Sequence, residues 1–204
     1  MSIVSHGQTV HVETLLETLA SNLVIKDAHL HVLVTHNMDS DPISVSKEYP
    51  FNVEQRWNLR PKGFGQNHNS AFEHSSCDVF MVVNPDIVFT EPFPISEVLR
   101  YLPKEGLLSP VIVDEDGSVM DFFRANLSPY NLILRKLNCE PKRIDWLAGV
   151  FLIVRAEHFR SIAGFDPFFF MYVEDCDLSM RSRAFGGKLL VLQNTKVAHV
   201  GQRA

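Results

Sequence analysis

Five apolar residues in a row, Val79-Phe80-Met81-Val82-Val83, run directly into Asn84-Pro85-Asp86. An unbroken apolar run of that length reads as a strand buried on both faces, as in parallel sheets covered by helices. This places the chain among α/β architectures. Pro85 fixes its own φ and drives Asn84 into an extended conformation, so Asp86 sits on a stiff turn. Open α/β sheets bind ligands just beyond the carboxyl ends of their strands. A carboxylate held there suits a hard cation bridging a diphosphate. The tripeptide by itself is more often an ordinary strand-to-loop turn, where all three residue types are common.

The rest of the chain alternates strand and helix signals. Ser2 to Ser5 reads as a first strand. Val12, Leu15, Leu16, Leu19 and Leu23 follow at helical spacing, with Thr9 as the expected N-cap. Leu30 to Thr35 reads as a second strand, then a polar loop from His36 to Pro42. A glycine-asparagine segment, Gly63 to Asn69, leads into a short helix expected near Ser70 to His74. Ile95, Val98, Leu99 and Leu102 mark another helix, and Leu107 to Val113 a strand closed by the turn Asp114-Glu115-Asp116-Gly117. Phe123 to Arg143 has no clean period and reads as a variable loop or irregular helix. Trp146 to Val154 reads as one strand and Ala156 to Ile162 as a helix. Gly164-Phe165-Asp166 is a turn. A helix is expected from about Asp175 to Gly186-Gly187, then a last clear strand over Leu189 to Leu192.

Length and composition narrow the class. With 204 residues, 46% apolar and 21% charged, the chain suits one globular domain, expected to span 1–204 with little or no C-terminal extension. A net charge of -5 argues against a nucleic-acid partner. Three cysteines without a CxxC spacing fit a reducing compartment. No apolar run approaches the length of a membrane span, and the start lacks a signal peptide's pattern. The expected location is cytoplasmic, with contact at the inner face of the plasma membrane left open.

Three further clusters carry chemistry. Glu174-Asp175-Cys176-Asp177 follows Phe168-Phe169-Phe170-Met171-Tyr172. Carboxylates beside apolar surface are desolvated, which raises a pKa and makes a usable base. Asp175 fits equally as a helix N-cap, and both roles can hold together. Gly63-Phe64-Gly65 with Asn67 and Asn69 offers close backbone approach and amides able to bond a nucleobase or ribose. It matches neither the Rossmann nor the Walker spacing, and a simple glycine turn is the commoner meaning. His199 is a nitrogen donor suited to Mn²⁺ as a partner for Asp86, in a chain with nine histidines. Trp146 reads as core, and Arg181 as an i,i+4 ion-pair partner of Asp177. There is no GxSxG, HExxH or GxxxxGK[ST], and Cys176 among carboxylates is a poor nucleophile.

Taken in order, these clusters resemble family 2 glycosyltransferases of the GT-A fold, in particular rhamnosyltransferase-like members. The resemblance rests on Ser5-His6, Gly63-Phe64 with Asn67 and Asn69, Asn84-Pro85-Asp86, Trp146 with Gly149, Gly164 through Leu178, and the late His199. It implies an α/β fold with a mixed, mostly parallel central sheet flanked by helices. It implies inverting transfer of a sugar from a nucleotide-diphosphate donor, dTDP-rhamnose or a UDP-sugar, to a glycan or lipid-linked acceptor in bacterial surface polysaccharide assembly. Asp86 and His199 would hold Mg²⁺ or Mn²⁺, and Asp175 would be the base, with Glu174 its partner or the alternative base. Ser5, His6, Asn37, Gly63, Phe64, Asn67, Asn69, Asn84, Trp146 and Gly149 would line the donor site. Where the family usually places Asp-Asn, this chain has His36-Asn37, which leaves the nucleotide open. A catalytically weak partner subunit of a glycan-assembly complex is the alternative reading, and acceptor selection is expected in Phe123 to Arg143.

Overall fold

The computed structural model describes residues 1–26, 28–46, 48–124 and 144–201. Its centre is an eight-stranded sheet. The first four strands in spatial order are β4 (Asn52–Trp57), β3 (His31–His36), β1 (Ser2–Ser5) and β5 (Val79–Val83). They are all parallel. β11 (Phe151–Arg155) then runs antiparallel to both of its neighbours, β5 and β8 (Gly106–Val113). β12 (Lys188–His199) returns parallel to β8, and β6 (Ile87–Val88) closes the edge antiparallel to β12. Two-residue pairs lie apart from this sheet: β2 (Leu23–Val24) with β7 (Phe93–Pro94), and β9 (Phe123–Arg124) with β10 (Trp146–Leu147).

The apolar strands serve two cores, one on each face, by simple alternation. Met81 and Val83 of β5, with Phe151 and Ile153 of β11, point into the core under α1 (Thr9–Asn22) and α3 (Ile95–Tyr101). Phe80 and Val82, with Leu152 and Val154, point into the core of Phe159 and Leu178, from α4 (Ala156–Ser161) and α5 (Glu174–Ala184). α2 (Phe64–Glu73) packs on that second face through Ala71. Burying one side chain the size of Phe151 contributes about 2–3 kcal/mol.

Several elements differ from expectation. Thr9 opens α1 instead of capping it; Gln8 holds the cap position without a side-chain capping bond, its Oε1 accepting from the His6 N–H instead, and its own N–H is taken by Ser5 Oγ at 3.2 Å. Strand β4 falls where no strand was expected, because an edge strand reading Asn-Val-Glu-Gln-Arg-Trp lacks an apolar signature. α2 starts at Phe64, so the glycine-asparagine segment is its first turns, not a loop before it. The strand expected over Trp146 to Val154 is two strands, broken at Ala148-Gly149-Val150. β12 continues past Leu192 to His199, with its register shifted between Leu192 and Lys196, where it pairs with Pro110 and Val111. Pro110 has no N–H to give the ladder, and strands bulge at such points. The start of the irregular stretch is β9, while residues 125–143 lie outside the described residues.

Candidate active site

Three backbone segments meet at the carboxyl edge of the sheet. β1 and β5 are parallel neighbours, and the chain's strand order reverses around β1, which opens a crevice past their ends. β11 is antiparallel, so its beginning lies beside the end of β5, with Phe151 opposite Val83. The Asn84 N–H donates to Val150 O at 2.9 Å and ties the two segments. A cavity of about 390 Å³ opens there, within the range of small-molecule sites. His6, Asn37, Phe64, Asn67, Asn84, Asp86, Gly149, Glu174 and Asp175 all line it. Carboxylates expected to hold a metal and to act as base therefore face one space.

On one side, β12 delivers His199 to Asp86, with Nε2 and Oδ2 3.1 Å apart. The other oxygen, Asp86 Oδ1, and His199 Nδ1 are both buried without a hydrogen-bond partner. Burial alone would raise the Asp86 pKa, but the hydrogen bond and charge of His199 outweigh it and hold the carboxyl below its ordinary value. Among the described residues no group of three or more His, Cys, Asp or Glu is arranged around a metal position. One oxygen and one nitrogen donor with unsatisfied capacity still fit a divalent cation whose remaining ligands are phosphate oxygens and water. Gly201 follows closely, and a Cβ there would overlap the Asp86 carboxylate.

The start of α5 brings Glu174 and Asp175 to the same cavity. The cap position belongs to Val173, in the left-handed region, so Asp175 does not cap. Instead Asp175 Oδ2 accepts from the Gly149 N–H at 2.9 Å and Oδ1 from the Cys176 N–H at 2.7 Å. Burial raises the Asp175 pKa, and these two N–H groups pull it partly back. Glu174 is 6% exposed, and its Oε2 has no partner. Burial and then the Asp175 charge push it above the ordinary carboxylate value. Burial and its acidic neighbours raise the Cys176 thiol, as expected of a poor nucleophile. α5 is pinned by Arg181, which bonds Asp177 at 2.6 Å and Ile162 O, and by Arg183, which pairs with Asp145.

Before Glu174 the chain is strained. Tyr172 and Val173 have φ of 67° and 72°, a conformation that costs of order 1–3 kcal/mol per non-glycine residue. Phe170, Met171 and Tyr172 line the cavity. The lip is anchored where the Phe64 N–H donates to Phe170 O at 2.9 Å. Gly63 permits this approach, since a Cβ there would lie 2.6 Å from Phe170 O.

The asparagines do something other than offer free amides. Asn37 Nδ2 donates to Lys62 O at 2.9 Å, and its Oδ1 accepts from Lys62 N–H and Asn58 Nδ2. Asn67 Nδ2 donates to Lys62 O and Gly63 O, while its Oδ1 accepts from Asn58 Nδ2. These amides build the cavity wall. Asn69 lies outside the lining and clamps Phe165, by Nδ2 to Phe165 O at 2.7 Å and from Phe165 N–H to Oδ1 at 2.9 Å. Ser5, Gly63 and Trp146 also lie outside the lining; Ser5 is buried and Trp146 packs under the Arg124 guanidinium. His36, in the place of the expected acid, is fully buried, stacked on Trp57, and bonded to Ser40 and Gln55.

Sequence reasoning did not single out Lys62 or His68, which also line the cavity. His68 is wholly buried, bonded to Ser2 Oγ at 2.9 Å, and pushed down to about 3 by burial, so it is neutral. The available signal was its i+4 spacing from Phe64, whose ring it meets edge-on.

The fold is of the GT-A type, and comparison with known proteins shows what the chain resembles. No family model matches the chain. It is 27% identical over 209 residues to rhamnosyltransferase WbbL of Escherichia coli K12, covering 92% of this chain and 77% of that protein. It is 27% identical over 235 residues to the N-acetylglucosaminyl-diphospho-decaprenol L-rhamnosyltransferase of Mycobacterium tuberculosis, covering 96% and 74%. Its fold superposes on the crystal structure of GalNAc-T7 with UDP, GalNAc and Mn²⁺, with a TM-score of 0.70 at 18% identity. That match covers 98% of this chain and 43% of GalNAc-T7. The chain is thus rhamnosyltransferase-like in sequence and GT-A in fold. Among the described residues no helix is long and apolar enough to cross a membrane.

Proposed function

We propose that this chain transfers a sugar, with inversion, from a nucleotide-diphosphate donor to a glycan or lipid-linked acceptor. The observation that carries the reading is the shared cavity of Asp86, tied to His199, and Asp175, fixed by two backbone N–H groups. Inversion requires the acceptor to attack the anomeric carbon from the face opposite the leaving diphosphate. Asp175 takes the acceptor hydroxyl proton as the new C–O bond forms, and the bond to the diphosphate oxygen breaks with its electron pair. A pKa raised by burial favours that proton transfer, and the Gly149 and Cys176 N–H groups hold the carboxylate in place. Glu174 stands beside it as a buried partner.

Asp86 and His199 would hold Mg²⁺ or Mn²⁺, whose charge stabilises the leaving diphosphate. Likeness to rhamnosyltransferases supports dTDP-rhamnose as the first donor to try and a UDP-sugar as the second. The name of the mycobacterial relative supports an N-acetylglucosaminyl-diphosphate lipid as acceptor. Such an acceptor would bring the protein to a membrane surface.

The test is a transfer assay with those donors and a short-chain N-acetylglucosaminyl-diphosphate lipid. Wild type should turn over, while Asp175→Asn should bind nucleotide with turnover lowered by about 10²–10⁴. Normal turnover by Asp175→Asn would remove the base assignment.

A further inference from the structure

Two adjacent non-glycine residues, one of them β-branched, hold positive φ at the mouth of the cavity. Bulky and β-branched residues avoid this region, and a fold retains such strain where its surroundings impose it. Burial does not compensate for it here. Tyr172 is 73% and Val173 57% exposed. The surroundings do impose it. The lip is tied to α2 by the Phe64 N–H on Phe170 O, and to α5 by the Asp177 N–H on Val173 O at 2.9 Å. Between those anchors Tyr172 is presented, ring exposed, three residues before Asp175.

We infer that Tyr172 is the platform for the sugar ring of the acceptor, a pyranose packed by its C–H face on the phenol ring. The inference rests on the glycosyltransferase reading and deepens it. The acceptor hydroxyl must reach the base, so the acceptor lies on the Asp175 side of the cavity, and the donor diphosphate lies toward Asp86. Tyr172 lines the cavity three residues before Asp175. A tyrosine offers a large, stiff, amphipathic face with little side-chain entropy to lose. The strained turn fixes that face before the ligand arrives, which lowers the cost of binding. Phe170 and Met171 extend the same apolar lip along the cavity.

Saturation-transfer NMR with octyl pyranosides (the N-acetylglucosaminide, glucoside, galactoside and rhamnoside) tests this with Mg²⁺ and dTDP or UDP present. Tyr172→Asn removes the ring with a residue that tolerates positive φ, and Tyr172→Phe keeps the ring. The nucleotide-induced rise in the unfolding midpoint is measured on all three proteins. Saturation of one glycoside in wild type, retained within twofold in Tyr172→Phe and at least fivefold weaker in Tyr172→Asn, with a nucleotide-induced midpoint rise still present in all three, is the expected result. Equal saturation in wild type and Tyr172→Asn overturns the inference, as does no saturation in wild type that binds nucleotide. No midpoint rise with either nucleotide would instead remove the glycosyltransferase reading, and the inference with it.

Discussion

His199 Nε2 stands 3.1 Å from Asp86 Oδ2, joining the last residue of β12 to the turn after β5. Asp86 lines the cavity, while His199 does not. The Val200 N–H also donates to Asp86 O at 3.0 Å, so the end of the long strand is fastened to the turn twice.

His199→Ala should therefore destabilise the fold by about 1–3 kcal/mol, since it leaves a half-buried carboxylate unpaired. Asp86 has a folded pKa below its unfolded value of 3.8. Its contribution to stability is fully present above that value and is lost as pH falls through the folded pKa. The stability gap between wild type and Asp86→Asn, measured by urea unfolding, should shrink as pH falls below about 4.

Gly201→Ala should act on the same pair from behind. The added methyl group needs the space of the Asp86 carboxylate, which is short and held by His199. The expected outcome is a lower unfolding midpoint and loss of any metal-dependent nucleotide effect. Gly117→Ala is the control, because nothing lies within 4 Å of its added carbon, although its positive φ adds some strain.

Asn69→Ala separates wall from clamp. It removes two hydrogen bonds to the Phe165 backbone and should cost about 1–3 kcal/mol in thermal or urea unfolding. Nucleotide binding should survive, because Asn69 does not line the cavity. Asn67→Ala should impair both, because it strips partners from Lys62 O, Gly63 O and Asn58 at once.

Asp175→Asn should lower kcat by about 10²–10⁴ while leaving nucleotide binding intact. In wild type, kcat should rise with pH through an apparent pKa above the ordinary aspartate value of 3.8, since the raised group must be ionised to accept a proton. The pH–rate profile checks the sign.

What the sequence disclosed follows from which signals are local. The run from Val79 to Val83 announces a buried strand because each residue is apolar, and Asp86 inherits its place from that strand. The heavy acidity of Glu174 to Asp177 marks the start of a helix. β4 stayed hidden because an edge strand need not be apolar, and the first turns of α2 because glycine and asparagine look like loop. The reading of Asn67 and Asn69 as amides open to a ligand missed their bonds because the partners, the backbone of Lys62, Gly63 and Phe165 and the Asn58 side chain, are brought near only by the fold. Positive φ at Tyr172 and Val173 has no local signature either, because it is imposed by anchors on α2 and α5.

The most direct measurement is thermal unfolding of wild type and Asp86→Ala with dTDP, UDP and GDP, each with and without Mn²⁺. Saturating ligand at about 100 times Kd stabilises the native state by about 2.7 kcal/mol. For a chain of this size that raises the midpoint by roughly 5–10 °C. The account predicts such a rise with one nucleotide, dependent on Mn²⁺, in wild type and not in Asp86→Ala. An equal rise in Asp86→Ala, or no rise with any nucleotide, would contradict it.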